Sequence, residues 1–381
     1  MHFNLTPEQA AFQQAARGFA REKVAPRAAA IDERDEFPAD LVKEAGAHGL
    51  MGVTIPKEWG GAGADYVSYV LALEEVARAS ATLAVILVVN NSLVVEPLLR
   101  FGSEDQKRRW LPRLARGEQV GAFALSEEEA GTDAANQQTA ATPLPGGGFR
   151  LAGRKTWVTC AAAADLALVF AGEASATGKR AVSAFLLPMD ARGVVRGPRS
   201  ESMGVRGLGG TDLELRDVGL GADALVGTRG EGFEIARWAF EGAGIGIAAQ
   251  AIGIGQVAFD EARAHAKRRH TFGKPIATYE AIQFMLADSA TELDAARMLT
   301  LKAAATKDEG SRCAVEAAMA KLYASEAAAR ATDRAMQILA SAGYRRGSIL
   351  ERLYRDVRAA EIYPGTSEVQ RMLISGALLR K

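Results

Sequence analysis

An α+β architecture in three successive parts, helical, then β, then helical, is predicted by three features of the sequence. Apolar residues recur at helical spacing to about residue 118. Short β-like runs punctuated by Gly, Pro and Asp fill 119–228, and long helical stripes then continue to residue 381. No internal repeat or low-complexity linker interrupts this order, which divides the chain into 1–118, 119–228 and 229–381.

The first part opens on Thr6-Pro7-Glu8-Gln9, a capping box with proline at the first helical position, followed on one face by Phe12, Ala16 and Phe19. Further helical patterns cover 41–48, 66–77 and 83–101, and a second capping box from Ser103 to Gln106 leads into Trp110 and Leu114. In the middle part the runs GAFALS, FRLAGRKTWVT, DLALVFAG, AVSAFLLP and TDLELRDV read as strands, with PLPGGG at 143–148 as a hairpin tip. Beyond Gly232, one stripe comprises Ile282, Met285, Leu286, Leu293 and Ala296. Val315, Met319 and Leu322 begin another, in helices long enough to form a bundle.

Composition narrows the classes of function. Apolar residues make up 48% and charged residues 24% of 381, the balance of a globular protein that folds by packing. Lys plus Arg and Asp plus Glu are 46 each, so no net field draws a polyanion, and neither nucleic acid nor a polybasic membrane contact is indicated. Cys160 and Cys313 provide no disulfide framework and no zinc spacing, which suits a reducing cytoplasm. The N-terminus has no basic, apolar leader pattern, and no run of 18 apolar residues occurs, so neither secretion nor membrane spanning is expected. His2, His48, His265 and His270 lack H-E-x-x-H spacing and read as structural or surface residues, without a metal. Two glycine clusters imitate nucleotide loops. Gly242, Gly244 and Gly246 follow no strand and read as close helix packing, and 203–210 leads into a strand and reads as a flexible loop.

Five segments carry a stronger signal: FALSEEEAGTD (123–133), KTWVT (155–159), RRHTFGKPI (268–276), AMQILASAGY (335–344) and EIYPGTSEVQR (361–371). In this order and spacing the chain resembles the acyl-CoA dehydrogenases over essentially its whole length, closest to the short-chain members. The resemblance implies an N-terminal helical domain, a middle β-barrel-like domain, a C-terminal four-helix bundle, and FAD as cofactor. Carried over residue by residue, it places Phe123, Leu125 and Ser126 along the flavin's pyrimidine side, Trp157 against one flavin face and Thr159 near N5. Read without the resemblance, Trp157 is a core aromatic of a strand. Gly131 and Thr132 would meet the pyrophosphate. Arg269, Thr271, Phe272 and Gln337 would reach the FAD of a neighbouring subunit in a dimer of dimers. Ser341, where the family has glycine, with Thr366 and Glu368 completes the implied cofactor set; Glu241, Tyr363 and Gly365 are the implied substrate contacts. The family's Pro-Gly and Asn are replaced by Glu128-Glu129 and Cys160.

The implied reaction is α,β-desaturation of an acyl thioester, in which a glutamate removes the C2 proton while hydride leaves C3. The family's commonest position for that glutamate is Pro364, which can neither accept a proton nor offer the backbone N–H that serves the thioester carbonyl as an oxyanion donor. The family's alternative glutamate-arginine position is Ala243-Gly244. Glu241 lies two residues away, about 200° around a helix, and is a weak candidate base; Glu96 and Glu361 are weaker. Three functions therefore stand: a dehydrogenase of acyl-CoA or acyl-carrier-protein thioesters with a recruited base, a flavoprotein catalysing a step without C2 proton abstraction, or a silent thioester-binding subunit of a mixed oligomer. A homotetramer and an electron-transfer flavoprotein as electron acceptor are the family's implication.

Overall fold

The computed structural model describes residues 4–173 and 181–379; His2 lies outside them. Among the described residues seven α-helices come first: α1 (Pro7–Phe19), α2 (Ala28–Arg34), α3 (Ala39–Ala47), α4 (Tyr66–Ala79), α5 (Ala81–Val88), α6 (Glu96–Phe101) and α7 (Glu104–Ala115). Both capping boxes form, Thr6 with Gln9 and Ser103 with Gln106, each pair satisfying two otherwise orphaned N–H groups. Between α5 and α6 the chain runs through a π-helical segment, Val89–Val95, that the apolar periodicity does not disclose. Its two buried asparagines reach outward. Asn91 donates to the Leu50 carbonyl (2.8 Å) and accepts from the Val53 N–H (2.8 Å). Asn90 donates to the Met51 and Leu114 carbonyls (2.7 and 3.2 Å) and accepts from the Gly121 N–H (3.3 Å).

Among the described residues eight strands follow: β1 (Gly121–Ala124), β2 (Ala140–Pro143), β3 (Phe149–Val158), β4 (Leu166–Glu173), β5 (Ala181–Pro188), β6 (Val194–Arg199), β7 (Thr211–Leu220) and β8 (Leu225–Val226). They form one mixed sheet in the order β6-β7-β3-β2-β4-β5-β8, with β1 parallel to β4. Among the described residues β6 and β8 are unpaired with each other, so the barrel-like sheet remains open. The PLPGGG segment is the β2–β3 turn, with Pro143 opposite Phe149. β2, β6 and β8 are strands that sequence periodicity misses: β6 carries Gly197 and Pro198, β8 has two residues, and β2 is short and ends on Pro143.

The C-terminal part contains α8 (Gly232–Arg268), α9 (Glu280–Asp308), α10 (Ala314–Leu339), α11 (Ser341–Tyr344), α12 (Ile349–Ala359) and α13 (Ser367–Leu379). α10 packs against α8, α9, α12 and α13. The Gly242–Gly246 cluster lies within α8, where a Cβ on Gly242 would stand 2.7 Å from the Tyr66 hydroxyl and one on Gly246 2.8 Å from that of Tyr69. Glycine there lets α8 approach α4. Two helical stretches, Ala81–Phe101 and Gly232–Arg268, each contain an 18-residue window with the mean hydropathy (1.8 and 1.4) of a membrane span, yet 89% and 83% of those windows are buried inside the protein.

The 203–210 loop is pinned rather than flexible. The Val205 N–H donates to Asp356 and the Gly207 N–H to Asp35, both at 2.6 Å, because buried backbone donors need acceptors where no sheet partner exists. Burial raises the Asp356 carboxyl to about 6. Its folded value exceeds the unfolded one of about 3.9, so the stability it contributes is complete below that value and is lost as pH rises through about 6. Asp356→Asn keeps an oxygen acceptor without the charge. It is expected to flatten the pH dependence of thermal unfolding between those limits; a variant with the wild-type slope would contradict this assignment.

Candidate active site

Beside β3 lies a cavity of about 670 Å³ lined by Ser126, Glu128, Gly131, Thr156, Trp157 and Asp212 among others. Trp157 is not a core aromatic: it is 68% exposed. Its φ of 55° is rare for a bulky side chain and costs on the order of 1–3 kcal/mol, so surrounding structure must impose it. Asp212 does so in part, accepting from the Trp157 N–H at 3.1 Å. The Thr156 N–H donates to the Ser126 carbonyl at 2.9 Å, joining the two walls of the cavity. A Cβ at Gly131 would meet nothing within 4 Å, so its backbone stands open to a ligand. Glu128 and Glu129 are both exposed, which spares a bound anion most of their repulsion.

Under this wall is a buried ion pair. The Lys155 ammonium meets Glu127 at 2.7 Å, the Leu125 carbonyl at 3.1 Å, and the Gln137 side-chain oxygen. Burial lowers Lys155 to about 8, opposed by Glu127. Burial also pushes the Glu127 carboxyl upward, but Lys155 and the N–H groups of Thr139 and Gln138 outweigh it and hold the carboxyl below its usual range. The pair fixes the segment that carries Leu125 and Ser126.

Of the residues predicted for a cofactor, Ser126, Gly131 and Trp157 line this cavity. Phe123 instead packs on Phe170 and Phe240, with ring centroids 4.9 and 5.7 Å away. Leu125 is buried, Thr159 is half-buried beyond the strand, and Thr132 is exposed. Arg269, Gln337 and Ser341 lie exposed on the C-terminal helices and their connections; Thr271 is half-buried, Phe272 is 98% exposed, Thr366 is half-buried and Glu368 exposed.

The second functional element is the loop 362–366 between α12 and α13. The Tyr363 hydroxyl donates to the Gln250 side-chain oxygen on α8 at 3.1 Å. Two helical turns before Gln250 on that face is Ala243, fully buried. Gly244 faces α10, with Ala317 3.6 Å from its would-be Cβ. Glu241 has both oxygens engaged: Arg312 Nε donates at 2.6 Å and the Cys313 N–H at 3.1 Å. Glu361 pairs with Arg358. Glu96 is buried, its pKa raised by burial despite Lys307, and among the described residues its Oε2 has no hydrogen-bond partner. Gln250, Lys155 and Asp212 are residues of these two regions that sequence reasoning did not single out.

Fold and cavity together define an α+β protein that offers a flat ligand an exposed indole, and that has a helical bundle whose α12–α13 loop is tied to α8. Comparison with known proteins makes the class specific. The chain matches models of the acyl-CoA dehydrogenase N-terminal domain at 6–118, middle domain at 122–218 and C-terminal domain at 230–379. It is 44% identical over 367 residues to the human mitochondrial short-chain specific acyl-CoA dehydrogenase, covering 96% of this chain and 89% of that one. Among solved structures, butyryl-CoA dehydrogenase from Megasphaera elsdenii superposes with a TM-score of 0.97 at 39% identity over 100% of both chains. A glutaryl-CoA dehydrogenase from Mycobacterium smegmatis, in complex with FADH2, does so with a TM-score of 0.93 at 27% identity over 99% of this chain and 96% of that one. The protein belongs to the acyl-CoA dehydrogenase family.

Proposed function

We propose that the protein is an FAD-dependent dehydrogenase of short acyl thioesters that works without the family's usual base. The observation that carries this reading is Trp157, exposed on a strained backbone at the edge of a cavity that Ser126 and Gly131 also line. An indole held open at that cost has a ring face to receive, and an isoalloxazine fits it. When bound, FAD supplies the acceptor for hydride from C3. The chain's own residues orient it through Ser126 and Trp157 and leave room for phosphates at Gly131 and Thr132. Tyr363 and Gly365 border the acyl site. Trp157→Ala is expected to weaken FAD binding about tenfold, which is about 1.4 kcal/mol; fluorescence titration of FAD measures it.

The exposed positions of Arg269, Phe272, Gln337 and Ser341 support a homotetramer in which they meet a neighbouring copy's FAD. We further propose boundaries at 1–118, 119–228 and 229–381, a cytoplasmic location, CoA or an acyl-carrier protein as thioester carrier, and an electron-transfer flavoprotein as acceptor. The test is anaerobic addition of acyl-CoA thioesters of increasing length to the flavin-loaded protein. Bleaching of the visible flavin band by a short chain is expected, and no bleaching across the panel would sink the dehydrogenase reading. A second reading, a step without C2 proton abstraction or a silent subunit of a mixed oligomer, is favoured by Pro364 and Ala243 together with the engagement of both Glu241 oxygens. It predicts thioester binding without formation of a 2-enoyl product.

A further inference from the structure

Lys321 is completely buried on α10, and its ammonium donates to the Gly365 carbonyl at 2.8 Å. Among the described residues it forms no ion pair; Glu361, Glu368 and Glu326 act on it only from a distance. Burial is the largest influence and brings the ammonium down to about 8. A buried cation facing a neutral carbonyl is a poor stabilising device, because its desolvation is only partly offset by one hydrogen bond. Its place is informative: it holds the loop in which Pro364 has removed a backbone donor, beside Gly365, whose φ of +81° favours glycine. Gln370 on α13 donates to the same carbonyl at 3.1 Å and to that of Pro364 at 3.4 Å, while Tyr363 is held from α8. Among the described residues the loop is thus gripped from three helices, and only the grip from α10 carries a charge.

We propose that Lys321 is a positioning residue that fixes the 362–366 loop through the Gly365 carbonyl and thereby sets the protein's affinity for an acyl thioester, without touching the thioester itself. The thioester half of this inference rests on the proposed function; the anchoring half does not. Lys321→Met preserves length and removes the charge. In the flavin-loaded full-length protein it is expected to weaken butyryl-CoA binding at least tenfold by calorimetry and to speed amide hydrogen exchange at 362–366 in the absence of thioester. FAD content and the midpoint of thermal unfolding should be retained. A residue of merely structural value would lower the unfolding midpoint and leave loop exchange unchanged. Gln370→Leu, which removes the other donor to Gly365, should act in the same direction, and the double variant should lose less affinity than the product of the two single losses. Unchanged loop exchange in Lys321→Met overturns the anchor. If Lys321→Met fails to fold, the anchor is judged on Gln370→Leu, where unchanged exchange overturns it. Failure of the wild-type protein itself to bind butyryl-CoA, with exchange responding as expected, overturns the thioester reading and leaves the anchor standing. Wild-type affinity in a folded Lys321→Met overturns the link between them.

Discussion

Pro364→Glu is expected to raise the rate of flavin bleaching by butyryl-CoA about a thousandfold or more. The substitution adds two groups at once: a carboxylate at the family's commonest base position, and a backbone N–H where proline has none. A positioned general base contributes about 10²–10⁴-fold, and a single oxyanion donor about 10²–10³-fold. Because both act on one transition state their effects will not simply multiply. Pro364→Ala separates them, since it restores the N–H alone and should recover about a hundredfold. The loop can accept the change: Pro364 is half-buried and its carbonyl, which accepts from Gln370, is preserved. Stopped-flow absorbance under anaerobic conditions measures both variants. A folded, flavin-loaded Pro364→Glu protein at the wild-type rate would show that more than the base and the backbone donor is missing.

Lys155→Met is expected to cost about 3–5 kcal/mol of stability, the usual consequence of leaving one member of a buried ion pair alone. Lys155 is fully buried and Glu127 nearly so. Without the ammonium, the Glu127 carboxylate keeps the N–H groups of Gln138 and Thr139, but the Leu125 carbonyl loses its lysine donor. The damage should spread to the cofactor wall, so FAD content is expected to fall together with the denaturant midpoint. Replacing both partners by apolar residues, Lys155→Met with Glu127→Leu, should recover part of the stability, although it also removes the carboxylate that the Gln138 and Thr139 N–H groups meet. If the single variant unfolds at the wild-type midpoint, the pair has no structural role.

The sequence disclosed the fold wherever local chemistry decides it. Capping boxes at Thr6 and Ser103, the PLPGGG turn and the long stripes beyond Gly232 are set by neighbours within a few residues. β6 was hidden because Gly197 and Pro198 belong in turns by propensity, yet its partner β7 recruits the segment as an edge. The π-helical turn at Val89–Val95 has no periodic signature, and the backbone groups that Asn90 and Asn91 reach beyond their own helical run lie 24 to 41 residues away in the chain, beyond any local pattern. Within the site, motif order pointed to Trp157, but its exposure depends on a backbone angle that no propensity encodes. The commitment of Glu241 was invisible for a different reason, since its partner Arg312 is 71 residues further along the chain. Pro364 needed no structure at all, because a proline's missing proton and missing N–H are properties of the residue itself.

Asn90 has a consequence for how the three parts of the chain relate. Its side chain joins the Met51 and Leu114 carbonyls of the helical part to the Gly121 N–H at the start of the sheet, across the point where the sequence changes period. One apolar core also draws on all three parts, uniting Leu111 and Leu114 with Phe170 and Leu186 and with Ile235. The boundary near residue 120 is therefore a change of pattern and not a seam. A fragment ending there would leave Asn90 without its Gly121 donor and would separate the helical residues of that core from those of the sheet and of α8.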